Sequence, residues 1–286
     1  MLFTPLGVNT YGTTQFSWGT TRPSNANGTS ISPSTADSYS AYVQLGDALS
    51  FDAYGILVNV NSNTATNTAR RTAIKVGIDV TGGSSYEDVL VDLMVGDLAQ
   101  YYIGGGGFFF FPLFIPAGAT VAAAARGNVN TAIRVNATYF QKPLNPSVIR
   151  KGAYTETLGV TTGAGTVDGI SFTPGTTNEG AWNLIGQTTK RLWWWQLATQ
   201  VNDTSKSNSA LFLDLAVGDT DQVGDPKDIM IENYLIGSTT ADALTNPPLT
   251  AGVEYNVPDG KFLFVRAQNS STNDTGYSVG VYGCGG

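Results

Sequence analysis

Along most of the chain the apolar residues come in short runs, often alternating with polar ones, and Gly, Asn, Asp, Ser and Pro clusters interrupt them about every ten residues. Alternation puts successive side chains on opposite faces of an extended segment, so stretches such as Ile74-Lys-Val-Gly-Ile78 predict half-buried β-strands. Helical spacing is hard to find. The nearest candidate, Val89 to Gln100, has Val-Leu-Val and Met-Val pairs that read equally well as strand. Strands are therefore expected near Ala41–Leu45, Ala53–Asn61, Thr72–Val80, Asp88–Val95, Gly107–Ile115, Thr120–Arg126 and Ala132–Phe140. A second set is expected near Ala181–Gly186, Leu192–Gln200, Ser209–Val217, Asp228–Tyr234, Leu249–Val257, Lys261–Gln268 and Ser278–Gly283.

The two sets run in parallel along the sequence. Gly28-Thr-Ser-Ile-Ser-Pro33 answers Gly169-Ile-Ser-Phe-Thr-Pro174, Ile56–Val60 answers Leu197–Val201, and Ile74–Ile78 answers Leu215–Asp219, at a displacement of 140 to 142 residues. Ile115-Pro-Ala-Gly118 and Val257-Pro-Asp-Gly260 follow, and Arg134–Tyr139 and Tyr277–Tyr282 close the two copies. Matches in one order at one spacing predict an internal duplication. The expected organisation is an N-terminal polar arm (1–27), a β-sandwich domain (28–140), a linker (141–168) and a second β-sandwich domain (169–286). Gly7-Val-Asn-Thr in the arm resembles Gly159-Val-Thr-Thr in the linker. Seven or eight antiparallel strands in about 115 residues suit a jelly-roll-like sandwich, so the fold class expected is all-β with two such domains in tandem. At Pro116 and Gly118, and again at Pro258 and Gly260, proline presets φ and glycine supplies a positive φ, so both copies turn sharply at the same place.

Composition narrows the chemistry. No histidine occurs among 286 residues, which removes the commonest general base near neutral pH, the commonest zinc ligand and the Ser-His and Cys-His nucleophile pairs. The single Cys284 forms no intrachain disulfide and no Cys-x-x-Cys metal site. A net charge of −7, from 15 Lys+Arg and 22 Asp+Glu with no basic run, argues against a nucleic-acid surface. The first residues lack the basic and apolar regions of a signal peptide, and the longest apolar tract, Phe108 to Ile115, is interrupted by Pro112. Neither secretion by the general pathway nor a membrane span is expected. The expectation is a protein that is not an enzyme and has no cofactor.

Three stretches invite a site. Asp219, Asp221 and Asp225 lie in a loop with oxygen ligands at alternate positions, as in calcium loops, but a closing Glu and flanking helices are missing. A solvated loop is the first reading and a bound hard cation the alternative, and no metal is assigned. Trp193-Trp194-Trp195 could stack on a sugar, yet alternation divides the three between two faces, which favours a subunit contact over a glycan platform. Gly104–Gly107 runs into Phe108-Phe109-Phe110-Phe111; without a following helix or lysine the glycines make no phosphate cradle. Four consecutive phenylalanines exceed what a one-sided core can cover, so part of the run is expected to meet another subunit.

The paired endings Phe114-Ile-Pro-Ala-Gly-Ala-Thr-Val-Ala-Ala-Ala-Ala-Arg126 and Val257-Pro-Asp-Gly-Lys-Phe-Leu-Phe-Val-Arg-Ala-Gln268 resemble those of tailed-bacteriophage virion proteins. In that group an Ile-Pro-Ala-Gly turn leads into an Ala-Arg-x-Gln-like strand of a small β-sandwich domain. The resemblance implies a structural protein of the virion, assembled in the host cytoplasm: a capsid decoration or cement protein that binds the major capsid protein between capsomers. Such proteins are often trimers, and three two-domain chains present six similar domains to a pseudo-sixfold lattice. The alternatives are a tail or neck fibre module that attaches to host glycans, and a double jelly-roll capsid protein.

Overall fold

In a computed structural model of the chain, the residues described are 15–18, 28–62, 70–97, 106–141, 152–201, 210–237, 252–269 and 277–286. They are all-β, every named strand pair is antiparallel, and the strands are layered as β-sandwiches. Among these residues no helix is long and apolar enough to cross a membrane.

The first half contains β1 (Gln15–Trp18), β2 (Thr29–Ile31), β3 (Val43–Gln44), β4 (Ala53–Ser62), β5 (Arg70–Asp79), β6 (Glu87–Asp97), β7 (Gly106–Phe111), β8 (Thr120–Gly127) and β9 (Ile133–Gln141). One layer pairs β1 and β2 with β9, then β4, then β7; the other runs β6, β5, β8, β3. Among the described residues a single pair, Gly96 with Gly106, links the layers along one edge. The second half contains β10 (Tyr154–Leu158), β11 (Thr161–Gly163), β12 (Thr166–Asp168), β13 (Ile170–Phe172), β14 (Asn183–Gln187), β15 (Leu192–Val201), β16 (Ala210–Gly218), β17 (Asp228–Gly237), β18 (Val253–Val257), β19 (Phe262–Asn269) and β20 (Tyr277–Gly285). Its layers are β10-β20-β15-β18, with β13 also on β20, and β14-β19-β16-β17. Each half buries its own cluster of Ile, Val, Leu and aromatic side chains.

The halves share one pairing scheme. β4 pairs with β9 and β15 with β20; β5 lies between β6 and β8 as β16 lies between β17 and β19. Even an irregularity is shared. The register slips between Ile74 and Val76, and again between Leu213 and Leu215. Opposite each slip stands a residue with positive φ, Asp92 (57°) and Asn233 (54°), residue types that tolerate the left-handed region.

Two correspondences differ from the sequence reading. The shared slip puts Ile74 in the place of Leu213, so Ile74–Ile78 answers Leu213–Val217 and not Leu215–Asp219. Tyr139 pairs with Ile56, and the residue paired with the equivalent Leu197 is Val281, so Val281 takes the place of Tyr139 and Tyr282 that of Phe140. A slip of one residue exchanges the faces of a strand, and Tyr282 consequently points away from the core of its own half.

The flanking segments also carry structure that patterning did not predict. Gln15–Trp18, within the expected arm, adds β1 to β9, while Tyr154–Leu158, within the expected linker, adds β10 to β20. Gln15–Trp18 and Tyr154–Leu158 thus add corresponding edge strands to the two halves, while the Gly7 segment lies outside the described residues. Short polar strands escape detection because their ladder bonds are made by the backbone whatever the side chains are. Residues 1–14, 19–27, 101–105 and 142–151, which include most of the arm, part of the linker and the glycines before Gly106, lie outside the described residues.

Pro116-Ala-Gly118 and Pro258-Asp-Gly260 form the expected turns, with φ of +87° at Gly118 and +76° at Gly260. An added Cβ at Gly118 would meet nothing within 4 Å, so alanine there tests backbone conformation alone. Gly118→Ala is expected to cost about 1 kcal/mol, read from the midpoint of denaturant unfolding. An unchanged midpoint would mean that the turn relaxes freely.

Candidate functional site

The most elaborately built surface of the chain is the joint between its halves. On the outward face of the second half's β10-β20-β15 layer, strand pairing sets two rows side by side: Thr157, Tyr282, Gln196, and Thr155, Cys284, Trp194. This grid lies against β6 and β7 of the first half. Trp194 Nε1 donates to the carbonyl of Phe110 at 3.0 Å, and the Phe110 N–H donates to Gln196 Oε1 at 3.0 Å, so two side chains spaced i, i+2 hold both backbone groups of one residue. Tyr282 Oη accepts from the Met94 N–H at 2.8 Å and donates to the Asp92 carbonyl at 3.2 Å. The hydroxyls of Thr155 and Thr157 donate to the carbonyls of Val89 and Val91. β6 would otherwise present unpaired backbone groups, and these side chains satisfy them in place of another strand.

Apolar contacts fill the rest of the joint. Phe109 meets Tyr282 edge to face with centroids 5.5 Å apart, and Phe110 meets Trp194 (5.6 Å) and Phe140 (5.4 Å) in the same manner. Gly252 lies flat on the indole of Trp194, where a Cβ would come within 2.1 Å. Around the rim, Arg71 pairs with Asp168 at 2.7 Å and Arg126 donates to Thr162 Oγ1 at 3.1 Å, tying the β11–β12 hairpin to the first half.

The sequence singled out the tryptophan and phenylalanine runs separately; the structure brings them together inside one chain. Trp193 and Trp194 join the core of the first half and Trp195 that of the second, where its Nε1 donates to the Tyr255 carbonyl at 2.7 Å. Strict alternation would have grouped Trp193 with Trp195. A register slip between Leu192 and Trp194 sends Trp193 the other way. With Trp194 at 0% exposure and its neighbours nearly so, the run forms neither a glycan platform nor a free subunit surface. Phe109 and Phe111 fill the first core and the second half covers Phe110, leaving Phe108 as the member of the run that stays exposed, at 42%.

Gln196, Tyr282, Thr155 and Thr157 were not foreseen as site residues. The signal available was a polar Gln196 inside an otherwise apolar run, together with a closing strand, Tyr277–Gly285, having no polar face. All of β20 is buried, because its inward side chains fill one core and its outward ones close the other.

Burial pushes the Tyr282 phenol well above its ordinary range, and pushes the Cys284 thiol up to about 12, slightly offset by a hydrogen bond from the Gly285 backbone. Thiolate is the reactive form, so Cys284 is inert at neutral pH. It is expected to resist alkylation at pH 8 in the folded chain and to react fully once unfolded, as intact-mass measurement after iodoacetamide treatment would register. Rapid modification of the folded protein would contradict this placement.

The acidic loop carries its own cation. Lys227 Nζ donates to the carbonyls of Gln222 (3.2 Å), Val223 (2.8 Å) and Asp225 (2.7 Å), which engages all three of its protons. Asp219 pairs with Lys261, Asp221 accepts from Gln222, and Asp225 accepts from Thr220. The three aspartates turn to separate partners, and among the described residues no three His, Cys, Asp or Glu side chains converge as metal ligands. Beside this loop lies a shallow cleft of about 240 Å³ lined by Val217, Asp219, Lys227, Tyr255 and Lys261.

Outside the joint, large apolar side chains stand exposed on the second half's β16–β17 flank. Phe212 and Leu235 are cross-strand partners there, 44% and 60% exposed, with Ile229 further along β17.

No family model matches the chain, and no curated protein matches it. Solved structures that resemble it include PNGF-II, at 9% identity and a TM-score of 0.38, covering 94% of this chain and 65% of that one. The infectious bursal disease virus (IBDV) T13 particle matches at 12% identity and a TM-score of 0.27, covering 83% and 56%. The stem and receptor-binding domain of the spike protein P1 from bacteriophage PM2 matches at 10% identity and a TM-score of 0.24, covering 96% and 98%. The chain thus spans about two thirds or less of the first two. Such distant likeness assigns the chain to no family and carries no role over to it.

Proposed function

We propose that the chain is a non-enzymatic structural protein of a bacteriophage particle, a decoration protein that stabilises the head by binding the major capsid protein between capsomers. The observation that carries this reading is the joint. Two sandwiches with one pairing scheme are locked together by a buried, hydrogen-bonded contact, an arrangement that spends its aromatic and polar side chains on holding two similar domains at a set spacing. A rigid pair of like domains can engage two neighbouring, like sites on a lattice, and the second contact then forms at high effective concentration. Duplication of one ancestral domain accounts for the shared scheme and the shared bulge. The chain acts as a trimer in this reading, on the virion, after assembly in the host cytoplasm.

The test is stoichiometry. Quantitative mass spectrometry of purified particles that contain the chain is expected to find it at hundreds of copies, and particles lacking it are expected to assemble but to break at lower temperature. A handful of copies per particle would overturn the reading in favour of an attachment module, and failure of particles to assemble would point to a capsid subunit.

A further inference from the structure

We propose that the β16–β17 flank of the second half is a docking surface for a second copy of this chain, which seats the outer face of its first half there. This deepens the self-association in the proposed function and rests on it. The argument starts from the equivalence of β6 and β17. Both lie on the same side of their sandwich and carry the same bulge, at Asp92 and at Asn233. In the first half, β6 is covered: Met94 is 1% exposed, and the hydroxyls of Thr155, Thr157 and Tyr282 meet its backbone. In the second half, the residue in the place of Met94 is Leu235, at 60% exposure, and β17 ends its sheet, with no further strand beside it among the described residues.

Burial therefore falls away while apolar character is kept: Ile229, Leu235 and the cross-strand partner Phe212 are large hydrophobes where solvent alone would favour polar residues. Within the chain, what covers such an edge is a sheet face of the neighbouring half. The equivalent face of the first half is the outer side of β9-β4-β7; at one end of it Phe110 and Phe140 are already buried, Phe110 against Trp194, while at the other end Phe108 is exposed, with Asn59 paired to it on one side and to Asn136 on the other. Within one chain this face has no β17 to meet, but a second chain supplies one. Face and edge are different surfaces, so the contact is head to tail, and it closes into a ring if the rotation permits. A ring of three chains alternates intrachain and interchain joints.

The experiment uses full-length chains and light scattering coupled to size exclusion. Wild type is expected to be oligomeric, while Leu235→Glu and Phe108→Glu, each made alone, are expected to run as monomers with wild-type circular dichroism and unfolding midpoints. Each variant keeps one intact surface, so an equimolar mixture of the two is expected to form dimers and nothing larger. Val80→Glu, at an exposed apolar position remote from both surfaces, controls for added charge and is expected to leave the oligomer intact. Oligomers unaffected by Leu235→Glu, or a mixture that stays monomeric, would overturn the surface proposed here while leaving the trimer reading standing. A monomeric wild type at high concentration would overturn both.

Discussion

Replacing Trp194 with alanine is expected to destabilise the chain by about 4 kcal/mol, the middle of the range for truncating a large buried aromatic, and to split one unfolding transition into two. The size follows from how many things the indole does. It is fully buried, it packs edge to face on Phe110, and its Nε1 is the hydrogen-bond donor to the Phe110 carbonyl. Alanine leaves a cavity between the halves and strands that carbonyl away from water, so the lost transfer and the unmade hydrogen bond act together. Trp194 is also where the halves communicate. With its grid intact, unfolding one half exposes the core surface of the other, which makes a single cooperative transition the expectation for wild type. Calorimetry and denaturant unfolding followed by two probes would check both points. A variant that loses under 1 kcal/mol and still unfolds in one step would mean that Tyr282, Gln196 and the phenylalanines hold the joint without it.

Asp214→Ala is expected to cost about 3 kcal/mol through a different mechanism, the breaking of a buried ion pair from one side. Asp214 is 2% exposed. Its Oδ2 accepts from Arg266 Nε at 2.8 Å, and its Oδ1 accepts from the backbone N–H of Asn233 at 2.7 Å, in the bulge where φ is positive. Removing the carboxylate strands a backbone donor and leaves the Arg266 guanidinium, stacked 4.5 Å from the Trp182 ring, without its counter-ion. Partial exposure of Arg266 lets water recover some of the loss, which places the estimate at the lower end for buried pairs. Asp214→Asn keeps an acceptor for the Asn233 N–H and is expected to lose roughly half as much. Equal losses for the two substitutions would show that charge alone matters, and no loss for either would show that the bulge holds without the pair. The first half meets the same need by other means: Lys75 stands in the place of Asp214, opposite Ala124, and pairs with Asp88, while the bulge residue Asp92 accepts from the Tyr39 hydroxyl.

Much of the architecture was legible from pattern. Each strand expected from the apolar runs is present within a few residues, although Leu249–Ala251 lie outside the described residues, and the Pro-x-Gly turns stand where their φ requirements put them. The signals used there are local: a strand needs alternation and a turn needs particular dihedrals, and both are written within a few neighbouring residues. The same rule misjudged Trp193, because a bulge inserts one residue and inverts the alternation beyond it, and nothing in Leu192-Trp-Trp-Trp195 announces it. It also misplaced Tyr282 by one position, since identity of residue type counted for more in that alignment than the face each residue would occupy.

Taken alone, then, the sequence determined the class of fold, the positions of its strands and turns, and a pool of side chains without histidine. The partners of the aromatic runs were decided only in three dimensions. Phe110 and Trp194 are 84 residues apart, and Tyr282 is 188 residues from Met94, distances over which no periodicity speaks. An apolar run reports that a surface must be covered, but the hydrophobic effect has no direction, so it does not report by what. That depends on how the second sandwich comes to rest against the first, which leaves Phe110 and Trp194 buried in a joint and Phe108, Phe212 and Leu235 in solvent.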